Sequence, residues 1–167
     1  MKRWLALALL LTALLTGCGG AGSGENGNGS SDQNAAGHTG GDLAAQAQKD
    51  PWGLVLAAED VTATGLTLRF VQSGGSPSGE LETGSLYWLE RETGDSWEKL
   101  EPLIEDLAWT TEAYLIQPEG DTEMEVKWSA LYGELPTGSY RLGKTVMDFR
   151  GTGDYDQQIY YAHFTVA

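Results

Sequence analysis

From Thr122 to Ser129 the chain alternates without a break, with apolar Met124, Val126 and Trp128 set between charged Glu123, Glu125 and Lys127. A period of two sends successive side chains to opposite faces of an extended strand, so this stretch is stable only with one face buried and the other in water. One strand has nothing to bury against, and the rest of the chain supplies partners of the same period. Leu54, Leu56 and Ala58 share a side of the run from Trp52 to Glu59, and Leu66, Leu68 and Phe70 share a side of the next. Tyr140, Leu142 and Val146 follow a turn at Pro136 and Gly138, and Tyr160, Ala162, Phe164 and Val166 close the chain with His163 opposite them.

The run from Ser85 to Glu92 is apolar on both parities, with Tyr87 and Leu89 on one face and Leu86 and Trp88 on the other. Such a run reads as a central strand, and its pattern leaves open which face meets the core. Gly94 marks a hairpin into Trp97–Leu100, Pro102 to Asp106 is an acidic connection, and a strand passes through Ala113–Ile116 after a bend near Trp109. Phe149 to Asp156 reads as a glycine-rich hairpin loop, and no convincing helix is expected in the domain. Seven or eight short strands punctuated by turns predict an all-β fold, an antiparallel β-sandwich of immunoglobulin type over residues 52–167. Within it Trp128 is expected in the core. Tyr140 stands where such domains carry a tyrosine corner, with a hydroxyl bonded back to nearby backbone.

The N-terminal region has a different character. Lys2 and Arg3 precede an apolar run from Trp4 to Leu15, and then come Thr16, Gly17 and Cys18, the only cysteine. The run is well short of the roughly 20 apolar residues that span a bilayer, and it has the length of a secretory signal. Leu15–Cys18 reads as a lipobox: residues 1–17 are a signal peptide, cleavage falls between Gly17 and Cys18, and Cys18 is the lipidated residue. The segment resembles bacterial lipoprotein signals, which implies a thioether-linked diacylglycerol on Cys18 and a place on the extracytoplasmic face of the cell membrane. Residues 19–41 hold no aromatic or large aliphatic side chain, so they cannot offset ordering entropy by burial. Residues 18–51 are therefore expected to form a flexible tether, with at most a fleeting helical turn before Pro51. With no cysteine beyond position 18 no disulfide can form in the domain, and packing alone must hold it. Every aromatic residue except Trp4 lies at or after Trp52.

The net charge of −14 becomes −16 once Lys2 and Arg3 are removed. That excludes nucleic acid as a partner and leaves membrane attachment to the lipid rather than to charge. Catalysis is not expected, because His163 is the one histidine of the domain and no nucleophile motif accompanies it. Asp148, Asp154 and Asp156 frame the last hairpin and have oxygens that suit calcium, but aspartate is also an ordinary turn residue, and that plainer reading is preferred. No metal and no cofactor is expected. Five tryptophans and seven tyrosines are more than so small a core can hide, which makes Trp97 and Trp109 candidates for an exposed binding surface. The expected partner is an envelope protein, with a cell-wall or other glycan as the alternative. A coplanar row of exposed rings would favour the glycan.

A resemblance adds to this. Tyr87-x-Leu89-Glu90, then Trp97, then Trp128-x-x-Leu131-Tyr132-Gly133-x-Leu135-Pro136-x-Gly138-x-Tyr140-Arg141, then Lys144 and a closing Ala162-x-Phe164 carry it. Over residues 54–166 the chain resembles a bacterial immunoglobulin-like domain of envelope lipoproteins and membrane-bound sensors in Gram-positive bacteria. The resemblance implies fold and location, with no catalytic role and no site residue.

Overall fold

In the computed structural model the residues described are 40–104 and 109–167. The signal peptide, Gly17, Cys18 and residues 19–39 of the expected tether lie outside them, as do residues 105–108 of the acidic connection.

Alternation resolves into two antiparallel sheets. The smaller has the order β1 (Leu54–Glu59), β2 (Gly65–Gln72), β7 (Gly120–Lys127), with Leu68 opposite Ala58 on one side and Met124 on the other. The larger is organised by β8 (Gly138–Gly151). Along one side β8 pairs with β9 (Asp154–Val166). Along the other, its first half pairs with β4 (Trp88–Thr93) and its second half with β3 (Glu80–Thr83). β5 (Ser96–Lys99) extends β4 outward, and the two-residue β6 (Tyr114–Leu115) extends β3. These make nine strands among the described residues, since the sheet includes short β3 and β6.

The inner faces bury Leu54, Leu56, Leu66, Leu68, Phe70 and Val126 from one sheet against Leu89, Tyr140, Leu142, Val146, Ala162 and Phe164 from the other. For the run Ser85–Glu92 the core face is that of Tyr87 and Leu89, whereas Leu86 is exposed and Trp88 half-buried. Trp128 is fully buried, stacked on Phe164 with centroids 5.5 Å apart, and its Nε1–H donates to Ala63 O at 2.9 Å. The Tyr140 hydroxyl donates to Pro136 O at 2.8 Å, which ties the turn before β8 to the strand it feeds. The β4–β5 connection is a two-residue turn in which Gly94 alone takes a positive φ, 61°, as a II′ hairpin requires at its first central position.

Three expectations are corrected. Gly40–Ala47 is a two-turn helix, α1, rather than the end of a tether. Leu43 and Ala47, four residues apart on one helical face, are buried. Asp50, just beyond, accepts from the backbone N–H of Trp52 (2.9 Å) and from the Tyr160 hydroxyl (2.9 Å), so the segment expected to hang free is fastened to β9. Secondly, Phe149–Asp156 is not a loop. β8 and β9 run through it, with a register shift between Phe149 and Gly151, and only Thr152 and Gly153 turn. Thirdly, the domain does contain helix, because α2 (Ser129–Tyr132) follows β7 and buries Leu131.

Candidate interaction face

In an antiparallel ladder paired residues point the same way, so register fixes what shares the outer face of the larger sheet. On β8 the even positions Tyr140, Leu142, Lys144, Val146 and Asp148 are buried, and odd positions face out. Arg141 stands beside His163 on β9 and Glu90 on β4, and Glu90 in turn stands beside Lys99 on β5. Gly143 stands between Trp88 and Tyr161. Trp97 lies next to Glu92 at the β5 edge.

Arg141 is the centre of this group. Its guanidinium lies 4.0 Å from the Tyr161 ring centroid and 4.7 Å from that of Trp97, and its Nε–H donates to Glu90 Oε2 at 2.6 Å, with an Nη2 ion pair to the same oxygen. Glu90 Oε1 accepts from the Trp88 indole at 2.8 Å. The Lys99 ammonium sits 5.6 Å from the Trp88 ring centroid. One carboxylate thus orients an arginine and a tryptophan at once, and the arginine separates two aromatic faces. Both the π contacts and the charge-assisted bonds gain from partial desolvation. His163 meets Trp97 edge-on at 5.1 Å; burial and the neighbouring Arg141 charge lower its pKa against the opposing pull of Glu92 and Glu90.

Gly143 makes the arrangement sterically feasible. A Cβ there would fall 2.2–2.6 Å from atoms of the Trp88 indole, which lies across the glycine. Gly143→Ala should therefore expel the indole from its place between Gly143 and Glu90, while the β8 backbone remains compatible with alanine. The expected result is a changed near-UV tryptophan signal with the far-UV spectrum preserved; an unaltered near-UV spectrum would show that the indole does not depend on the glycine.

The two tryptophans proposed from sequence part company. Trp97 belongs to this face, half-buried against His163 and Arg141. Trp109 packs edge-on against Tyr87 at 5.3 Å and lines, with Met124 and Leu115, an open groove of about 770 Å³ between β6 and β7. Trp88, Arg141, Tyr161 and His163 are not legible from sequence as members of a binding surface. A glycine inside a strongly alternating strand was the available signal, since it often marks close approach of another group.

Around the last hairpin the chain supplies its own cation. Arg150 donates to Asp154 Oδ1 and Asp156 Oδ2, each at 2.9 Å, and to Ser78 Oγ at 2.8 Å. Asp148 points inward and accepts from Ser78 N and Oγ at 2.8 and 2.7 Å and from Gly79 N. Burial pushes the Asp148 carboxyl up, but those hydrogen bonds and the Arg150 charge together hold it below the usual carboxylate range. The three carboxylates thus converge on a guanidinium and backbone donors. Among the described residues no group of three or more His, Cys, Asp or Glu is placed to hold a metal ion.

A family model described as a bacterial Ig-like domain matches residues 50–164. No curated protein and no solved structure matches the chain significantly.

Proposed function

Because the chain belongs to the bacterial Ig-like domain family, we propose that it is a non-catalytic interaction module of the cell envelope, anchored by a lipid on Cys18, that binds a protein through the outer face of β5, β4, β8 and β9. The observation that carries this reading is the Arg141 guanidinium set between Trp97 and Tyr161 and fixed by Glu90. Tryptophan, tyrosine and arginine are the residues in which protein-binding energy concentrates, and side chains already held in place lose less entropy on binding.

The geometry disfavours the glycan alternative. A sugar chain stacks along rings that share a plane, whereas Trp88 meets Tyr161 at 89° and Trp97 meets His163 at 74°. These rings offer edges and a cation rather than a flat platform.

A photo-crosslinker in place of Thr165, exposed on the same face of β9, should capture a discrete envelope protein, and Trp97→Ala should diminish the adduct with little change in the urea midpoint. The same probe at Glu125, on the outer side of β7, should not capture it. Equal adducts from both positions would reject the face. The anchor is tested separately: Cys18→Ser should move the protein from the detergent phase to the aqueous phase, and unchanged partitioning would exclude lipidation.

A further inference from the structure

The outer face does not end at Tyr161. Continuing along β8 and β9 away from Arg141, register places Ile159 beside Thr145, Gln157 beside Met147 and Tyr155 beside Phe149. Across β8, Met147 is flanked by Glu82 and Phe149 by Glu80, and Glu82 is flanked in turn by Leu115 of β6. Ile159 is 57% exposed, Leu115 51% and Tyr155 46%. With half-buried Met147 and Phe149 these side chains make a broken apolar strip on an open sheet face, with Gln157 between Ile159 and Tyr155 and Glu82 between Met147 and Leu115; a patch of this kind, unlike a single exposed side chain, calls for an explanation.

Its charges are one-sided. Glu80 and Glu82 enter no ion pair among the described residues, and the one guanidinium near the strip, that of Arg150, is already engaged by Asp154 and Asp156. Lys144 is on the same strand but on its inner face. Apolar side chains with two unpaired carboxylates set among them, on a chain of net charge −14, select for cations on whatever covers them and against a second copy of the same acidic chain.

We infer that the Ile159–Met147–Leu115 strip docks an extended polypeptide segment that presents apolar side chains and lysine or arginine on one face, the cations meeting Glu80 and Glu82. This rests on the protein-binding reading of the face and adds the chemistry of the partner. An extended segment suits the site because side chains two residues apart share a face, so its apolar and cationic positions can both point into the strip.

The chain has isoleucine only at 104, 116 and 159 and methionine only at 1, 124 and 147, so methyl NMR of the full chain reads the site directly. The probe is a synthetic peptide with lysine and isoleucine in turn at every second position and serine between them, with a peptide of equal length carrying glutamate for lysine as control. The lysine peptide should shift the Ile159 and Met147 methyls saturably, leave Met124 nearly still, and bind several-fold more weakly in Glu80→Gln/Glu82→Gln or at high salt. Failure to bind, equal binding of the glutamate peptide, or shifts at Met124 as large as at Ile159 would overturn the inference. So would concentration-dependent Ile159 shifts of the protein alone, which would give the strip to a second copy. If these fail while crosslinking from position 165 succeeds, the partner's chemistry is wrong and the interaction face stands.

Discussion

Trp128→Ala should lower the free energy of unfolding by about 3–5 kcal/mol, a large fraction of the 5–15 kcal/mol typical of a domain. The indole is fully buried and stacked on Phe164, and its removal leaves a cavity and takes from Ala63 O one of its two donors, the Leu135 N–H remaining. The neighbours along β7 provide the control. Glu125, whose side chain is mostly exposed and paired with Lys127, should cost less than about 0.5 kcal/mol on truncation to alanine. Urea melts of the two variants decide the matter, and a Trp128→Ala midpoint close to that of Glu125→Ala would contradict the assignment of β7's faces.

The second large effect is one of pH. Lys144 has no exposed surface, and its ammonium donates to Gly84 O and, at 3.2 Å, to Leu86 O. Burial pulls its pKa down to about 8. Between about 8 and 10.5 the unfolded chain then binds more protons than the folded one, so stability rises with pH across that window. Below about 8 both states are protonated and the whole cost of burying the charge is present. A depression of this size corresponds to an effect on the order of 3 kcal/mol. Roughly 2 kcal/mol of it should be visible between pH 7 and 9.5, before tyrosine ionisation intrudes. Lys144→Met should abolish the rise even though it leaves two carbonyls without their donor, so the slopes are compared rather than the absolute stabilities. A wild-type protein equally stable at pH 7 and 9.5 would show that Lys144 is not buried as described.

Lys144 also shows why part of the fold was illegible in the sequence. β1, β2, β7, the start of β8 and the end of β9 announce themselves because most of their inward positions are apolar. The inner face of β8, however, runs Tyr140, Leu142, Lys144, Val146, Asp148, and two charges on a buried face disguise a strand of 14 residues as a strand followed by a loop. Their partners, the carbonyls of Gly84 and Leu86 and the backbone of Ser78 and Gly79, are some 60 to 70 residues away in sequence. Helix α1 was missed for a related reason, since Leu43 and Ala47 are too few to produce a periodic signal and are held by packing against the sandwich. The interaction face was legible only at Trp97. Trp88, Arg141 and Tyr161 become neighbours through register across three strands, which composition does not encode and only the interior Gly143 hinted at.

The position of β8 in the larger sheet sets an order of events for a chain that emerges from its N-terminus. β1, β2 and β7 can pair among themselves once residue 127 is out. Before β8 appears, β3 can pair only with the two-residue β6 and β4 only with β5; the strand that joins them to each other and to β9 is β8, whose pairing residues begin at Gly138. Until then each keeps one edge open, and the contacts awaited span about 50 to 70 residues, a separation that slows folding through loop-closure entropy. The sandwich therefore closes late, after nearly the whole chain has appeared. A nascent chain lacks the closed sandwich until then, and a chain interrupted before Gly138 leaves β3 and β4 each with an open, aggregation-prone edge.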